Sequence, residues 1–165
     1  MGSGKSTVAR RIGARLGRPV LDSDEMIEEL TGKSVRQIFA EQGEPAFREQ
    51  EQAVLADALA NEEPSVIAAA GGVVLSAANR RLLADADAVV VWLRADPVLL
   101  QQRVSGGGHR PLLDDDPRGM LAKMHAERQA LYTAVADRVV DVDGRSVDEV
   151  AALVLAGIGS FEVGA

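Results

Sequence analysis

Apolar residues recur along this chain with two alternating spacings. In GKSTVARRIGARLG, Val8, Ile12 and Leu16 stand four apart and share one face of a predicted helix. PVLD reads as a short strand ending in an acid. SDEMIEEL then opens a helix with a Ser or Asp cap and acids in its first turn. SVRQIFAEQG carries a capping box from Ser34 to Gln37 and stops at Gly43. EPAFREQEQAVLADALA is a longer helix, with Phe47, Val54 and Leu55 at helical spacing. SVIAAA, bounded by Pro64 and Gly71, is a buried strand, and SAANRRLLA a helix. DAVVVWLR is the clearest strand, and DPVLLQQRV a helix with Pro97 in its first turn. SGGGHRPLLDDDP has no period and many breakers, so it is a loop. RGMLAKMHAERQALYTAVA is a long helix, DRVVDVDG a strand, SVDEVAALVLAGI a last helix, and the tail 159–165 is expected to be disordered.

Strands alternating with helices of this length predict an α/β fold with a parallel sheet covered on both faces. A doubly wound parallel β-sheet binds its ligands at the carboxyl ends of its strands. Four strands are visible. A fifth is expected ahead of Met1, next to the loop that opens the chain.

Composition narrows the function. With 165 residues the chain suits one domain, and 47% hydrophobic with 26% charged residues is ordinary for a globular protein. There is no cysteine, so no disulfide, Cys-based metal site or thiol nucleophile is available. No apolar run reaches a membrane span, and arginines interrupt the first twenty residues, so a cytoplasmic protein is expected. A net charge of -7 and 3% aromatics argue against nucleic-acid binding. An anionic ligand would need a few arginines placed locally.

Candidate chemistry starts at the first residues. Gly4-Lys5-Ser6 fill the last places of the phosphate loop G-x-x-x-x-G-K-[ST], whose first glycine would fall two residues before Met1. In such a loop backbone N–H groups and a helix N-terminus hold phosphate. Lys5 would reach the β- and γ-phosphates and the Ser6 hydroxyl would bind magnesium. A flexible Gly/Ser start is the alternative. Asp22 and Asp24 follow a strand. Asp22 could hold magnesium through water and Asp24 could accept a substrate proton, or the segment is simple helix capping by Ser23 or Asp24.

Four further places stand out. Arg48 has Glu51 three residues on, able to orient a guanidinium toward a carboxylate, or to form only an exposed ion pair. Gly71-Gly72 at a strand end either admits a ligand to the backbone or makes an ordinary turn. SGGGHRPLLDDD is a mobile loop whose Arg110 could close on phosphates, with His109 a surface residue and Asp114–Asp116 a solvated capping segment. Arg128 lies beside the apolar face of Leu121, Met124 and Leu131 and by itself reads as a surface arginine.

Taken in order, GSGKST, DSD, FR, GG, RPLL and ER-x-x-LY resemble the shikimate kinase family, from Gly2 to about Ile158. The resemblance implies one domain over 1–158 of the P-loop nucleoside-monophosphate-kinase-like type, with substrate-binding helices at about 23–60 and a mobile lid at about 105–116. It implies transfer of the γ-phosphate of ATP to the 3-hydroxyl of shikimate, with Mg2+ as cofactor, by a monomer. By position, Gly2, Ser3, Gly4, Lys5, Ser6 and Thr7 would bind ATP with Arg103, Arg110 and Arg145. Ser6 and, through water, Asp22 would hold the metal. Asp24, Arg48, Gly71, Gly72 and Arg128 would bind shikimate, and Lys5, Asp24 and Arg110 would carry catalysis. The sequence departs from the family pattern in lacking the first strand and first loop glycine, in Ala70 where the family has glycine, and in Ala130 where it has proline. Another small-metabolite kinase, such as one for gluconate, or a non-catalytic relic, are the alternatives.

Overall fold

A computed structural model describes residues 3–96 and 127–158. Helix α1 (Lys5–Leu16) leads through Gly17 into strand β1 (Val20–Asp22), and α2 (Ser23–Thr31) starts at once. Helix α3 (Val35–Leu59) follows, then β2 (Val66–Ala68), a 3-10 turn (Val73–Leu75) and α4 (Ala77–Asp85). Strand β3 (Val91–Arg94), a helix α5 described over 127–135, β4 (Arg138–Asp141) and α6 (Val147–Ile158) complete the order.

The strands pair in parallel, β1 with β2 and β3 with β4. Val20 stands opposite Val66 and Asp22 opposite Ala68 in the first pair. Val91 stands opposite Arg138 and Arg94 opposite Asp141 in the second. That last pair also carries a fork of guanidinium to carboxylate bonds at 2.5 and 2.8 Å. Among the described residues β2 and β3 are not bonded to one another. Parallel direction puts the strand ends of each pair on one edge. The segments leaving β1 and β2, which carry Asp24 and Gly71-Gly72, therefore emerge side by side.

Helices cover both faces, as parallel strands require. Val8 and Ile12 of α1 pack with Val150, Ala151 and Val154 of α6 against Val91 and Leu93 of β3. Trp92, pointing the other way, stacks on Tyr132 of α5, with ring centroids 5.2 Å apart. On that second face Leu55, Val73 and Val74 form a cluster with Leu83 and Leu131. A third cluster, Ile27, Ile38, Phe47 and Val54, binds α2 to α3.

Most predicted elements are present, with three refinements. The break at Gly43 lies inside α3, where φ 80° and ψ 174° interrupt two helical runs and Pro45 starts the second. The N-cap of α2 is Asp22 rather than Ser23 or Asp24, because its carboxylate accepts the Asp24 N–H at 3.1 Å. Strand β3 begins only at Val91, since the Val90 N–H donates to the Asp137 carboxylate instead of a ladder partner. The predicted helix DPVLLQQRV, the loop with Arg110, the first part of the long helix and the tail 159–165 lie outside the described residues.

Candidate active site

The start of α1 is open to an anion. Its N-cap is Gly4, held at φ 81° and ψ 20°, a left-handed conformation that a side chain would strain. No side chain caps the helix and no acid stands in its first turn. Among the described residues the first N–H groups and the positive end of the helix dipole thus have no side-chain cap and no acid of their own turn. Lys5 and Ser6 are half-buried in that turn, Thr7 is exposed, and Gly2 lies outside the described residues.

The two aspartates divide their work. Asp22 is buried, and the one oxygen it spends goes to the Asp24 amide. Asp24 keeps access to solvent, while protein crowds its carboxyl on the remaining sides. That desolvation raises its pKa; Lys5 opposes the rise, and Asp22 and Glu28 add to it. Ser23 between them is buried. Its hydroxyl accepts the Ala70 N–H at 2.9 Å and lies 3.4 Å from the Ala68 carbonyl. The acid pair is thereby pinned to the segment that leaves β2.

Arg48 is not an exposed ion pair. Its Nη1 donates to both oxygens of Glu51 at 2.8 and 2.9 Å, and its Nε and Nη2 donate to Glu44 at 3.1 and 2.7 Å. The Glu51 side chain is only 1% exposed. Burial works against the charge on Arg48, but Glu51 and Glu44 outweigh it and hold the guanidinium ionised. Burial pushes Glu51 upward, with Arg48 opposing. The guanidinium lies flush against Gly72: a Cβ there would sit 2.7 Å from Cζ and closer still to Nη1. A Cβ at position 72 would fit only if the guanidinium moved off its glutamates, which gives a physical reason for glycine there.

Arg128 is not a surface arginine either. It is 8% exposed, donates from Nη1 to the Gly71 carbonyl at 3.3 Å, and has no partner for Nε among the described residues. Arg48 and Arg128 thus flank the same Gly-Gly pair from two sides, and Glu51 feels Arg48, Asp24 and Arg128 together. A cavity of about 150 Å³ runs from Ser3 and Lys5 past Ala70 and Gly71 to Arg128 and Tyr132. Residues far apart in sequence meet here.

The remaining candidates do not join this group. Arg145 is exposed beyond β4, donates to the Asp141 carbonyl at 2.8 Å, and does not line the cavity. Arg103 and Arg110 lie outside the described residues, as do His109 and Asp114–Asp116. The sequence reading gave no part to Ser23 as a tether, to Glu44, or to Tyr132. Only Tyr132 left a signal, standing four residues after Arg128 and so on the same helix face.

A parallel α/β fold that presents an uncapped Gly-Lys-Ser helix start beside a carboxylate of raised pKa is that of a P-loop small-molecule kinase. Comparison with known proteins narrows the class. The family model described as shikimate kinase matches residues 1–158. The chain is 41% identical over 158 residues to a shikimate kinase of Symbiobacterium thermophilum, covering 94% of this chain and 90% of that one. It is 41% identical over 145 residues to that of Corynebacterium jeikeium, covering 87% and 76%. The solved shikimate kinase of Acinetobacter baumannii, in complex with shikimate, superposes with a TM-score of 0.93 at 34% identity, over 99% of this chain and 90% of that one. The chain belongs to the shikimate kinase family.

Proposed function

We propose that this chain transfers the γ-phosphoryl group of ATP to the 3-hydroxyl of shikimate. The observation that carries the reading is the pair of arginines around Gly71-Gly72. Among the described residues Arg128 is buried with an N–H that has no acceptor, and Arg48 is locked by a buried glutamate. A buried donor without an acceptor is costly, so the site is built for an anion that supplies one. A planar carboxylate suits two guanidinium groups. Asp24, whose charge is felt by both Lys5 and Glu51, would meet the hydroxyls of the same molecule.

In this reading the first turn of α1 receives the triphosphate, with Lys5 neutralising charge on the transferred group. Asp24 accepts the proton of the attacking hydroxyl. Its raised pKa brings it closer to neutral pH, where a base is more effective. Phosphoryl transfer needs mainly alignment and charge neutralisation, which rigidly held side chains supply. Magnesium would be held by Ser6 and, through water, by Asp22, whose second oxygen has no protein partner among the described residues. No cluster of three acid or histidine ligands exists among the described residues. That matches an ion held chiefly by phosphate and water rather than by a protein cage. The metal would draw charge from the phosphate oxygens. Gly2, Arg103, Arg110 and Arg145 keep the nucleotide roles that the family pattern gives them, and a cytoplasmic monomer completes the proposal.

A coupled assay of ADP release tests the reading, with shikimate and gluconate as competing acceptors. Shikimate-dependent turnover is expected, lost by at least about 100-fold in Lys5→Ala. Turnover with gluconate as fast as with shikimate would overturn the substrate assignment. ADP release equal in Lys5→Ala would remove the loop from the reaction.

A further inference from the structure

The Gly71-Gly72 peptide is gripped by a residue that none of the roles above uses. Tyr132 lies one turn after Arg128 on α5, and its hydroxyl donates to the Gly71 carbonyl at 2.6 Å. Arg128 donates to the same oxygen at 3.3 Å. A carbonyl has two lone pairs, so both bonds can form, and the shorter one belongs to the tyrosine. The ring itself cannot drift. It is stacked on Trp92 at 5.2 Å with an interplanar angle of 24°, and it packs into the cluster around Leu55 and Val74. On the other side of the turn the Ser23 hydroxyl takes the Ala70 N–H.

This grip has a geometric consequence. All the described peptide bonds are trans, so a carbonyl drawn toward α5 turns the Gly72 N–H to the opposite side. The acceptor shared with Tyr132 also limits where the Arg128 guanidinium can settle. We propose that Tyr132 is a positioning residue for the anion subsite: its hydroxyl fixes the Gly71 carbonyl, and through it the Gly71-Gly72 peptide and Arg128. The proposal rests on the reading of that subsite as the place of the shikimate carboxylate. Burial raises the phenol pKa, which keeps the hydroxyl a donor across the working pH range, although Arg128 opposes the rise.

Tyr132→Phe removes the hydroxyl and keeps the stacked ring, so packing and positioning separate. The expected result is a KM for shikimate raised about tenfold, with kcat and the KM for ATP within about twofold. Amide exchange at Gly72 and Val73, measured without ligand, should quicken. Combined with Arg128→Lys, the two effects on shikimate KM should fall short of their product by about threefold or more, because the residues share one acceptor. A shikimate KM within twofold of wild type, or equal losses in all three kinetic constants, would overturn the proposal.

If the variant fails to fold, a labelled wild type decides. Tyr132 is the single tyrosine of the chain, so 3-fluorotyrosine reports on it alone. Its fluorine resonance should move when shikimate saturates the protein, and an unmoved resonance would overturn the role. Should wild type neither bind nor phosphorylate shikimate, the substrate reading fails. Amide exchange at Gly72 and Val73 in Tyr132→Phe then still decides whether the hydroxyl holds the peptide.

Discussion

Gly72→Ala is the sharpest perturbation of this site, because its effect comes from one contact. Gly72 has φ -85° and ψ -18°, which alanine adopts without strain. The added methyl carbon, however, would lie 2.7 Å from Cζ and 3.0 Å from Nη2 of Arg48. Ordinary contact needs about 3.5 Å or more, so the guanidinium must retreat by roughly 1 Å or more. It cannot retreat and keep its partners, since Nη1 holds both oxygens of a glutamate that is 1% exposed. Breaking a buried pair outright costs about 3–5 kcal/mol. A displaced pair keeps part of its attraction, so about 2 kcal/mol is expected, or a fall of about 4–8 °C in Tm for a domain of this size. Losing one well-placed charged hydrogen bond to the substrate adds about 1.5–3 kcal/mol, which is about 10- to 100-fold in shikimate KM. The KM for ATP should stay within about twofold. The assay is coupled ADP release with shikimate varied, beside a thermal melt. Gly17→Ala is the control: at φ 63° with nothing within 4 Å of the added carbon, it should lower Tm through backbone strain alone and leave both KM values unchanged. Wild-type shikimate KM in Gly72→Ala would refute the seating of Arg48 against this residue, and with it the carboxylate role.

Asp24→Asn should abolish turnover without destabilising the fold. The folded pKa of Asp24 is raised, so its contribution to stability is full below the unfolded value near 3.8 and is lost as pH rises through the folded value. Melting curves should therefore show Asp24→Asn equal to or above wild type at pH 8, with the difference shrinking toward pH 4; a variant melting well below wild type at pH 8 would contradict this. In wild type, kcat/KM for shikimate should fall on acidification with an apparent pKa above that of an ordinary aspartate, and a profile flat down to pH 4 would exclude Asp24 as base. Phe47→Ala should cost about 3–5 kcal/mol of stability in denaturant melts. Its ring is 5% exposed, packs 4.7 Å from Phe39 and lies under the Arg48 guanidinium. Shikimate KM should rise with it, and unchanged affinity in folded Phe47→Ala would show that Arg48 is held by its glutamates alone.

The hydrophobic pattern alone determined the α/β class, the order of elements and the capping box at Ser34, because these depend on residues three or four apart. Gly-Lys-Ser at a helix start was legible for the same reason, since the motif and its helix are contiguous. Boundaries were less legible. Asp22 as a cap and the Val90 N–H turned to Asp137 depend on which neighbour takes a single hydrogen bond.

What only the tertiary structure decided is whether an arginine is a surface charge or a buried clamp. By local pattern Arg48 and Arg128 are ordinary helical arginines, 80 positions apart. Tertiary packing seats Arg48 against Gly72 and Arg128 on the Gly71 carbonyl, and burial of Glu51 turns a routine i,i+3 pair into a fixed support. For Tyr132 the sequence offered only its place one turn after Arg128, because its bond is to a backbone carbonyl 61 residues away. Spacing encodes the faces of helices and strands, but the meeting of faces depends on how the strands are ordered. Local pattern carries no record of that order.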